Sequence, residues 1–276
     1  MSDQPDNETI ERLLSVCRVG NSREQCAALV ELSEMGASAT AVAIPTLIAL
    51  LASPEEVVRA NAAHTLGRLG GAQPDVAGAA LLALVQDSDA IVRSDVIEAL
   101  GALKYQPSVD AIAARLQSDT DATVRAEAAE TLAELNDDRG LPTILRALAD
   151  DPDDAVRGYC ASAVARLGTA AMLPTLRQHT TEEPSVRVKA ELLGARYQLG
   201  DQAALPAFLA LMSAADEDLA INLLNVLDDL IARNPPATLS DDSALIAAAL
   251  TQLAERFEQL GPHATALRIS LPAPTA

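Results

Sequence analysis

The chain has 276 residues, with 39 acidic against 20 basic side chains and a formal net charge of −19 at pH 7. Such a charge repels a phosphate backbone and an anionic membrane surface, so we expect no nucleic-acid partner. Hydrophobic residues make up 49% of the chain but aromatic residues only 2%, with no Trp. This composition predicts a core of Ala, Leu, Val and Ile on closely packed helices, and it disfavours stacking on bases or flat cofactors.

The N-terminal segment is polar and acidic, and no apolar run reaches the length of a membrane span. The three cysteines form no CxxC pair, which is typical of thiols in a reducing compartment. We therefore expect a cytoplasmic protein without membrane insertion. The first helix pair, over about residues 8–36, is a weak copy of the pattern that follows.

Five segments repeat one helical phrase at a nearly fixed interval. Each contains a Val followed by a basic anchor residue, and two small or apolar residues lie three and four places after the anchor. A fixed period in the range of about 20 to 50 residues predicts a stack in which each unit buries its apolar face against its neighbours. The anchors, spaced 34, 32, 32 and 32 residues apart, are Arg59, Arg93, Arg125, Arg157 and Lys189.

The first helix of each pair is short and often begins with Pro, which a first helical turn tolerates. Pro142, Pro174 and Pro206 are 32 residues apart, which supports the same period. The sequence predicts one domain over residues 8–260, a last helix over 241–260 and a disordered tail over 261–276. The seven predicted helix pairs cover about residues 8–36, 42–70, 74–104, 107–136, 140–168, 172–200 and 203–234.

The phrase D-x-D-x-x-V-R-x-x-A-A-x-x-L-x-x-L-G resembles the HEAT repeat, in particular the subclass called PBS-lyase HEAT-like repeats, over roughly residues 8–234. The resemblance implies an all-α protein, an α-solenoid (superhelix) of about seven helix pairs with a C-terminal capping helix. It also implies that the second helices of the pairs form a concave wall.

On such a wall, residues two, five and nine places after each anchor share the helix face that points into the groove. The two middle helices then place five carboxylates on this face, which predicts a docking groove for a basic or amphipathic segment of a partner protein. The alternative is a solvated acidic face. The predicted partner-binding residues are Asn61, His64, Arg68, Asp95, Glu98, Glu127, Glu130, Glu134, Tyr159, Ser162, Arg166 and Glu191.

The sixth repeat leaves its anchor open, because Arg187 competes with Lys189. If Arg187 is the anchor, Lys189 and Leu192 take the groove positions of Glu191 and Gly194. The acidic centre of the groove is the same in both cases.

Acidic residues precede the anchors by four residues and often by six. Acids at a helix start cap free N–H groups, and an Arg one turn inside the helix can reach the loop acid of its own or the adjacent repeat. The pattern predicts a structural ladder between repeats, and the alternative is an anion-binding ladder. The two sets of acids are Glu55, Asp89, Asp121, Asp153 and Asp87, Asp119, Asp151, Glu183.

No catalytic pattern is present: the chain has no glycine-rich phosphate loop, CxxC pair or nucleophile set. Deoxyhypusine hydroxylases, which share the resemblance, hold iron between repeated His-Glu steps. Here His64, His179 and His263 are not followed by Glu, and His64 is interpreted as a helix-surface residue. We therefore predict no catalytic residue, no bound metal and no cofactor.

The leading hypothesis is a non-catalytic scaffold, adaptor or assembly factor that binds another protein in the acidic groove. The resemblance also suggests a phycobilin lyase subunit or phycobiliprotein chaperone, for which Arg68, Arg166, His64 and Tyr159 are the groove residues suited to a tetrapyrrole. A third hypothesis, a HEAT-like alkyl-base glycosylase, needs a basic groove and aromatic residues, and the net charge opposes it.

Overall fold

The structure, a computed structural model, describes residues 7–35, 40–232, 235 and 239–273. Over these residues it contains helices and turns and no β-strand. None of the described helices combines the length and the apolar character that a bilayer crossing needs. The predicted repeat ends at residues 36 and 234 lie outside the described residues.

The chain divides into two compact units, residues 1–143 and 144–276. The described part of the first unit contains α1 (Asn7–Val19), α2 (Ser22–Glu34), α3 (Thr40–Leu50), α4 (Glu56–Leu69), α5 (Pro74–Leu82), α6 (Ala90–Ala102), α7 (Val109–Ser118) and α8 (Ala122–Leu135). Helix α9 (Leu141–Asp150) contains the boundary. The second unit continues with α10 (Asp154–Leu167), α11 (Leu173–Glu182), α12 (Val186–Gln198), α13 (Ala204–Ala214), α14 (Glu217–Ala232), α15 (Leu239–Arg256) and α16 (Gly261–Ser270).

The first unit is a stack of helix pairs in which the second helices pack in order, α2 on α4, α4 on α6 and α6 on α8. The apolar stripe of each second helix is fully buried, as Val58, Ala62 and Leu66 show in α4. A Cβ atom on Gly67 would lie 2.8 Å from Ala99 of α6, so glycine permits the close approach of α4 and α6. The all-α solenoid predicted from the sequence is confirmed.

The second unit repeats this arrangement, with α10 on α12, α12 on α14 and α14 on α16. Its core contains Tyr197 and Phe208 among Leu, Val and Ile side chains. The Tyr197 hydroxyl donates a hydrogen bond of 2.7 Å to Asp242 Oδ2, which ties α12 to α15.

The predicted ladder between repeats is confirmed within each unit. In the first unit, Arg93 Nη2 lies 2.7 Å and Nε 2.8 Å from the two carboxylate oxygens of Asp119. Arg59 pairs with Asp87 in the same bidentate way, with both distances at 2.9 Å. In each pair the acid belongs to the loop of the next repeat. These guanidinium groups already hold an anion, so the ladder is structural.

The arginines also bind their own loops, because Nη1 of Arg93 donates to the carbonyl of Asp87 at 2.8 Å. In the second unit, Arg157 binds both carboxylate oxygens of Glu183 at 2.9 and 2.7 Å. Each arginine therefore fixes one inter-helix loop and joins it to the following one.

The predicted helix caps are present at three of the four positions. The side chains of Asp89, Asp121 and Asp153 accept backbone N–H groups at the starts of α6, α8 and α10. Glu55 occupies the same position before α4 but makes no side-chain cap hydrogen bond. Glutamate is not among the preferred N-cap residues, which are Asn, Asp, Ser, Thr and Gly.

The structure settles the anchor of the sixth repeat. The backbone N–H of Lys189 donates to the carbonyl of Ser185, the N-cap of α12, as that of Arg157 does to Asp153. Arg187 is instead 57% exposed and lies 3.6 Å from Asp218. Lys189 is therefore the anchor.

The C-terminal prediction needs a correction, because residues 261–270 form α16 rather than a disordered tail. Pro262 lies in the first turn of this helix, where its missing N–H does not interrupt the hydrogen bonds. Ala264 and Leu267 are buried in the core of the second unit. The apolar positions three residues apart are the signal that the proline content of this segment concealed.

Candidate functional site: an acidic face and the α12 pocket

Three predicted site residues lie on α4 in the first unit. The Asn61 side-chain amide donates to the carbonyl of Val57 at 2.8 Å. Arg68 Nε donates to the carbonyl of Ser33 on α2 at 3.3 Å. His64 is half-exposed, and its Nδ1 lies 3.9 Å from Glu98 Oε2. Asn61 and Arg68 thus make hydrogen bonds to backbone, whereas His64 lies beside an acidic side chain of α6.

Five predicted carboxylates occupy α6 and α8, and we call this set the acidic face: Asp95, Glu98, Glu127, Glu130 and Glu134. Asp95 is half-buried, and burial together with the negative charge of Glu98 raises its pKa to about 6. His64 acts in the opposite direction on the pKa of Asp95. The charges of His64 on α4 and Glu98 on α6 therefore both act on Asp95.

Glu127 lies at the centre of the acidic face. Burial, followed by repulsion from Glu130, raises the pKa of Glu127 to about 7, and Glu98 and Glu134 add to the effect. A hydrogen bond of 3.2 Å from the Thr131 hydroxyl opposes the shift without cancelling it. Glu98, Glu130 and Glu134 are therefore neighbours of Glu127, and the fold gives the ionised forms of Glu127 and Asp95 less favourable surroundings than water does.

The acidic face offers electrostatic attraction for cations. Among the described residues, no group of three His, Cys, Asp or Glu side chains has the arrangement of a metal site. A cluster of carboxylates in which Asp95 and Glu127 have raised pKa values instead favours ligands that bring positive charge, such as Lys or Arg side chains.

Three other predicted residues meet in the second unit, where Ser162 and Arg166 of α10 and Glu191 of α12 line one pocket. Tyr159 is 44% exposed and does not line it. The pocket has a cavity volume of about 40 Å³, and we call it the α12 pocket. Its lining consists of Ser162, Ala165, Arg166, Glu191, Gly194, Ala195, Gln198, Val226, Asp229 and Leu230.

Glu191 is the strongly perturbed acid of the α12 pocket. Burial raises its pKa to about 8, and the negative charge of Asp229 adds to this shift. The Asn222 side-chain amide donates a hydrogen bond of 2.9 Å to Glu191 Oε1, which opposes the shift. The Oδ1 atom of Asn222 is buried and accepts no hydrogen bond from the described residues.

Sequence reasoning missed the wall that α14 contributes, which includes Val226, Asp229 and Leu230. The seventh repeat is degenerate, with Ile221 at the anchor position. Counting five and nine residues from Ile221 nevertheless gives Val226 and Leu230, so the repeat register contained the signal. A Cβ atom on Gly194 would lie 2.5 Å from Val226 Cγ1, which shows how closely α12 and α14 approach.

A family model for HEAT repeats matches residues 10–101, 44–133 and 109–195. Among solved structures, the chain is similar to one in the complex of CpcE and CpcF of phycocyanin lyase from Nostoc sp. The sequence identity is 22% and the TM-score 0.57, over 82% of this chain and 92% of that chain. It is also similar to YibA of Escherichia coli, with 16% identity and a TM-score of 0.55, over 96% and 94% of the two chains. No curated protein sequence matches the chain.

Proposed function

Because the chain belongs to the HEAT-repeat family, we propose that it is a non-catalytic scaffold or adaptor that binds a basic or amphipathic segment of another protein on its acidic face. The repeat architecture supplies a rigid surface of stacked helices, and such surfaces serve binding. We place the protein and its partner in the cytoplasm.

The observation that carries the proposal is the crowding of carboxylates on α6 and α8. Asp95 and Glu127 have pKa values of about 6 and about 7, well above those of ordinary carboxyl groups. In the ladder, by contrast, the fold pairs its buried acids with arginine, as in Arg93–Asp119. On the acidic face the acids repel one another, and a cationic partner would relieve that repulsion.

Electrostatics also favours fast encounter with such a partner. A net charge of −19 attracts basic segments at long range and weakens with added salt. Binding should therefore be salt-dependent, and it should lower the pKa values of Asp95 and Glu127. At pH 6 to 7 the complex would release protons as it forms.

The test compares two variants with the same change in net charge. In the first, Asp95→Lys, Glu127→Lys and Glu130→Lys reverse the acidic face. In the matched control, three exposed acids of the same unit are reversed instead: Glu11→Lys, Asp75→Lys and Asp138→Lys. Fluorescence anisotropy measures binding of a labelled lysine–leucine amphipathic peptide, and circular dichroism checks the fold of both variants.

We expect the acidic-face variant to lose at least about tenfold in affinity, equivalent to 1.4 kcal/mol, and the control to lose much less. Equal losses in the two variants would mean that net charge alone attracts the peptide. Unchanged binding by the acidic-face variant would refute the site. Affinity capture from host lysate with the same two variants, followed by mass spectrometry, would then identify the partner.

A second candidate is a subunit of a phycobilin lyase, and the fold shared with a protein of the CpcE and CpcF complex favours it. In this case the residues suited to a tetrapyrrole would be His64 and Arg68 in the first unit and, separately, Tyr159 and Arg166 in the second. Titration with phycocyanobilin tests it, because a bound bilin changes its visible absorbance. An unchanged spectrum at micromolar protein would eliminate this candidate.

A further inference from the structure

Helices α15 and α16 end the second unit, and an open crevice lies between them. We propose that this crevice is the contact surface of a homodimer, in which Ile269 of each copy enters the crevice of the other and Arg268 of each copy faces Glu255 of the other. The inference goes beyond the proposed function and does not depend on it, because it concerns a different surface.

The crevice, which we call the C-terminal crevice, has a volume of about 220 Å³. Leu250 and Ala254 of α15 and Ala264 of α16 give it an apolar lining. Glu255 and Arg268 also line it, and both of these charged side chains are exposed. The crevice therefore combines apolar surface with one charge of each sign.

An exposed isoleucine lies beside the crevice. The terminal units of a helical repeat protein need a polar outer face, because one of their sides has no neighbouring repeat. Ile269 is nevertheless 77% exposed. It follows Thr265, which lines the crevice, by four residues, so the two side chains share a face of α16. One patch thus supplies both a projecting apolar side chain and an apolar crevice, as a two-fold symmetric interface requires.

The charge of this end of the chain favours a second copy as the partner. Residues 243–276 contain two acidic and two basic side chains, so the net charge of −19 falls entirely within residues 1–242. Two copies of so acidic a chain repel one another, and a region without net charge opposes their approach least. A strongly basic partner would instead be attracted to the acidic residues elsewhere in the chain.

Glu255 and Arg268 give the crevice complementary charges for a second copy. Neither side chain forms an ion pair with another residue in the part of the chain that the structure describes. A two-fold axis at the crevice places Glu255 of one copy opposite Arg268 of the other, and the same contact then occurs twice. Such pairs at the edge of an interface fix the orientation of the two copies.

The helices that form the crevice are firmly held, so association needs little further ordering. At the end of α15, the Arg256 guanidinium donates hydrogen bonds to the carbonyls of Ser213 at 2.7 Å and Ala215 at 2.6 Å. Ala264 and Leu267 hold α16 in the core of the second unit. The crevice is therefore present before a second copy binds.

Sedimentation equilibrium of the full-length chain, from micromolar to submillimolar concentration, tests the inference. We expect the mass to rise with concentration towards twice the 28.7 kDa of one chain. Arg268→Glu and Glu255→Arg each place like charges opposite one another, and each should raise the dissociation constant of the dimer at least about tenfold. An equal mixture of these two variants should associate like the wild type, because every contact between them joins opposite charges.

A second pair of variants tests the apolar contact. Ile269→Ser should raise the dissociation constant at least about fivefold, because the serine side chain leaves the crevice of the other copy unfilled. The matched control is Ile91→Ser on α6, where the isoleucine is 66% exposed and belongs to the first unit. This control should associate like the wild type, and circular dichroism checks the fold of both variants.

A mass that stays at 28.7 kDa over the whole concentration range would overturn the inference. So would a dimer that persists in both Arg268→Glu and Ile269→Ser, or a mixture of the two charge variants that remains monomeric. Peptide binding that does not depend on the acidic face, together with an intact dimer, would refute only the proposed function.

Discussion

Asp119 and Glu127 belong to the same repeat, yet their pKa values move in opposite directions. Burial acts to raise the pKa of Asp119, but hydrogen bonds from Arg93 and from the backbone N–H of Asp121 hold it below the usual value. Burial and a neighbouring acid, Glu130, raise the pKa of Glu127 to about 7. The loop acid is therefore part of what holds the fold together. The acid on the helix face opposes the fold, which is the expected signature of a group kept for binding.

The largest effect should follow from breaking the loop pair. Arg93 is 8% exposed and Asp119 5% exposed, so Arg93→Ala leaves a buried carboxylate with only the longer contact to Arg115, at 3.5 Å. We expect the free energy of unfolding, measured with urea, to fall by about 3 kcal/mol. The double variant Arg93→Ala/Asp119→Ala should lose much less than the sum of the single losses. Additive losses would show that the pair does not act as a unit.

A substitution on the acidic face should have a smaller effect of opposite sign, an increase in the free energy of unfolding. The folded protein raises the pKa of Glu127 from its ordinary value of 4.5 to about 7, so it holds the proton more tightly than the unfolded chain. Stability therefore falls as pH rises through this interval. Glu127→Gln keeps an acceptor for Thr131, and it should increase stability by about 1 kcal/mol at pH 8 and change little at pH 4.

The pH dependence of stability also tests Asp119, the acid of the loop pair. Because the pKa of Asp119 is lowered, its contribution to stability is present above its ordinary pKa of 3.8 and is lost as pH falls below that value. Asp119→Asn should destabilise the protein at pH 7, and this difference from wild type should shrink at pH 2 to 3. Thermal unfolding of both variants from pH 2 to pH 8 provides the measurement. Parallel profiles for Asp119→Asn and Glu127→Gln would remove the distinction between the two kinds of acid.

The smallest effect should come from an exposed ion pair. Arg139 and Asp137 lie 2.8 Å apart on the surface of the first unit. Solvent screens such pairs strongly, so Arg139→Ala should leave the urea midpoint unchanged within error. A loss comparable to that of Arg93→Ala would show that burial does not explain the strength of the ladder.

Much of this architecture could be predicted from sequence, because the same spacing of apolar, basic and acidic residues recurs in several repeats. The period located the second helices and the Arg–acid ladder. Counting from Lys189 predicted Glu191 as a groove residue, and in the structure it lines the α12 pocket. Ser162 and Arg166, which were likewise predicted as groove residues, line the same pocket, whereas Asp229 of the degenerate seventh repeat was not predicted.

Other features depend on packing distances that periodicity does not contain. Gly194 and Val226 line the pocket where α12 and α14 approach closely, and a glycine in a helix does not by itself predict such an approach. The raised pKa of Glu127 depends on how far its neighbours exclude water, which no spacing rule reports. The helix α16 was missed because its proline-containing segment was judged by composition rather than by the spacing of Ala264 and Leu267.

Each ladder arginine forms an ion pair with an acid of the next repeat, and this has a consequence for how repeats can be added during evolution. Arg59 pairs with Asp87, 28 residues later in the chain, and Arg93 pairs with Asp119, 26 residues later. Both acids lie in a loop that carries the same two-acid pattern. A duplicated repeat inserted in phase would bring an arginine for the loop that follows it and an acid for the arginine that precedes it. Gene duplication can therefore lengthen the protein without leaving an unmatched charge at either junction.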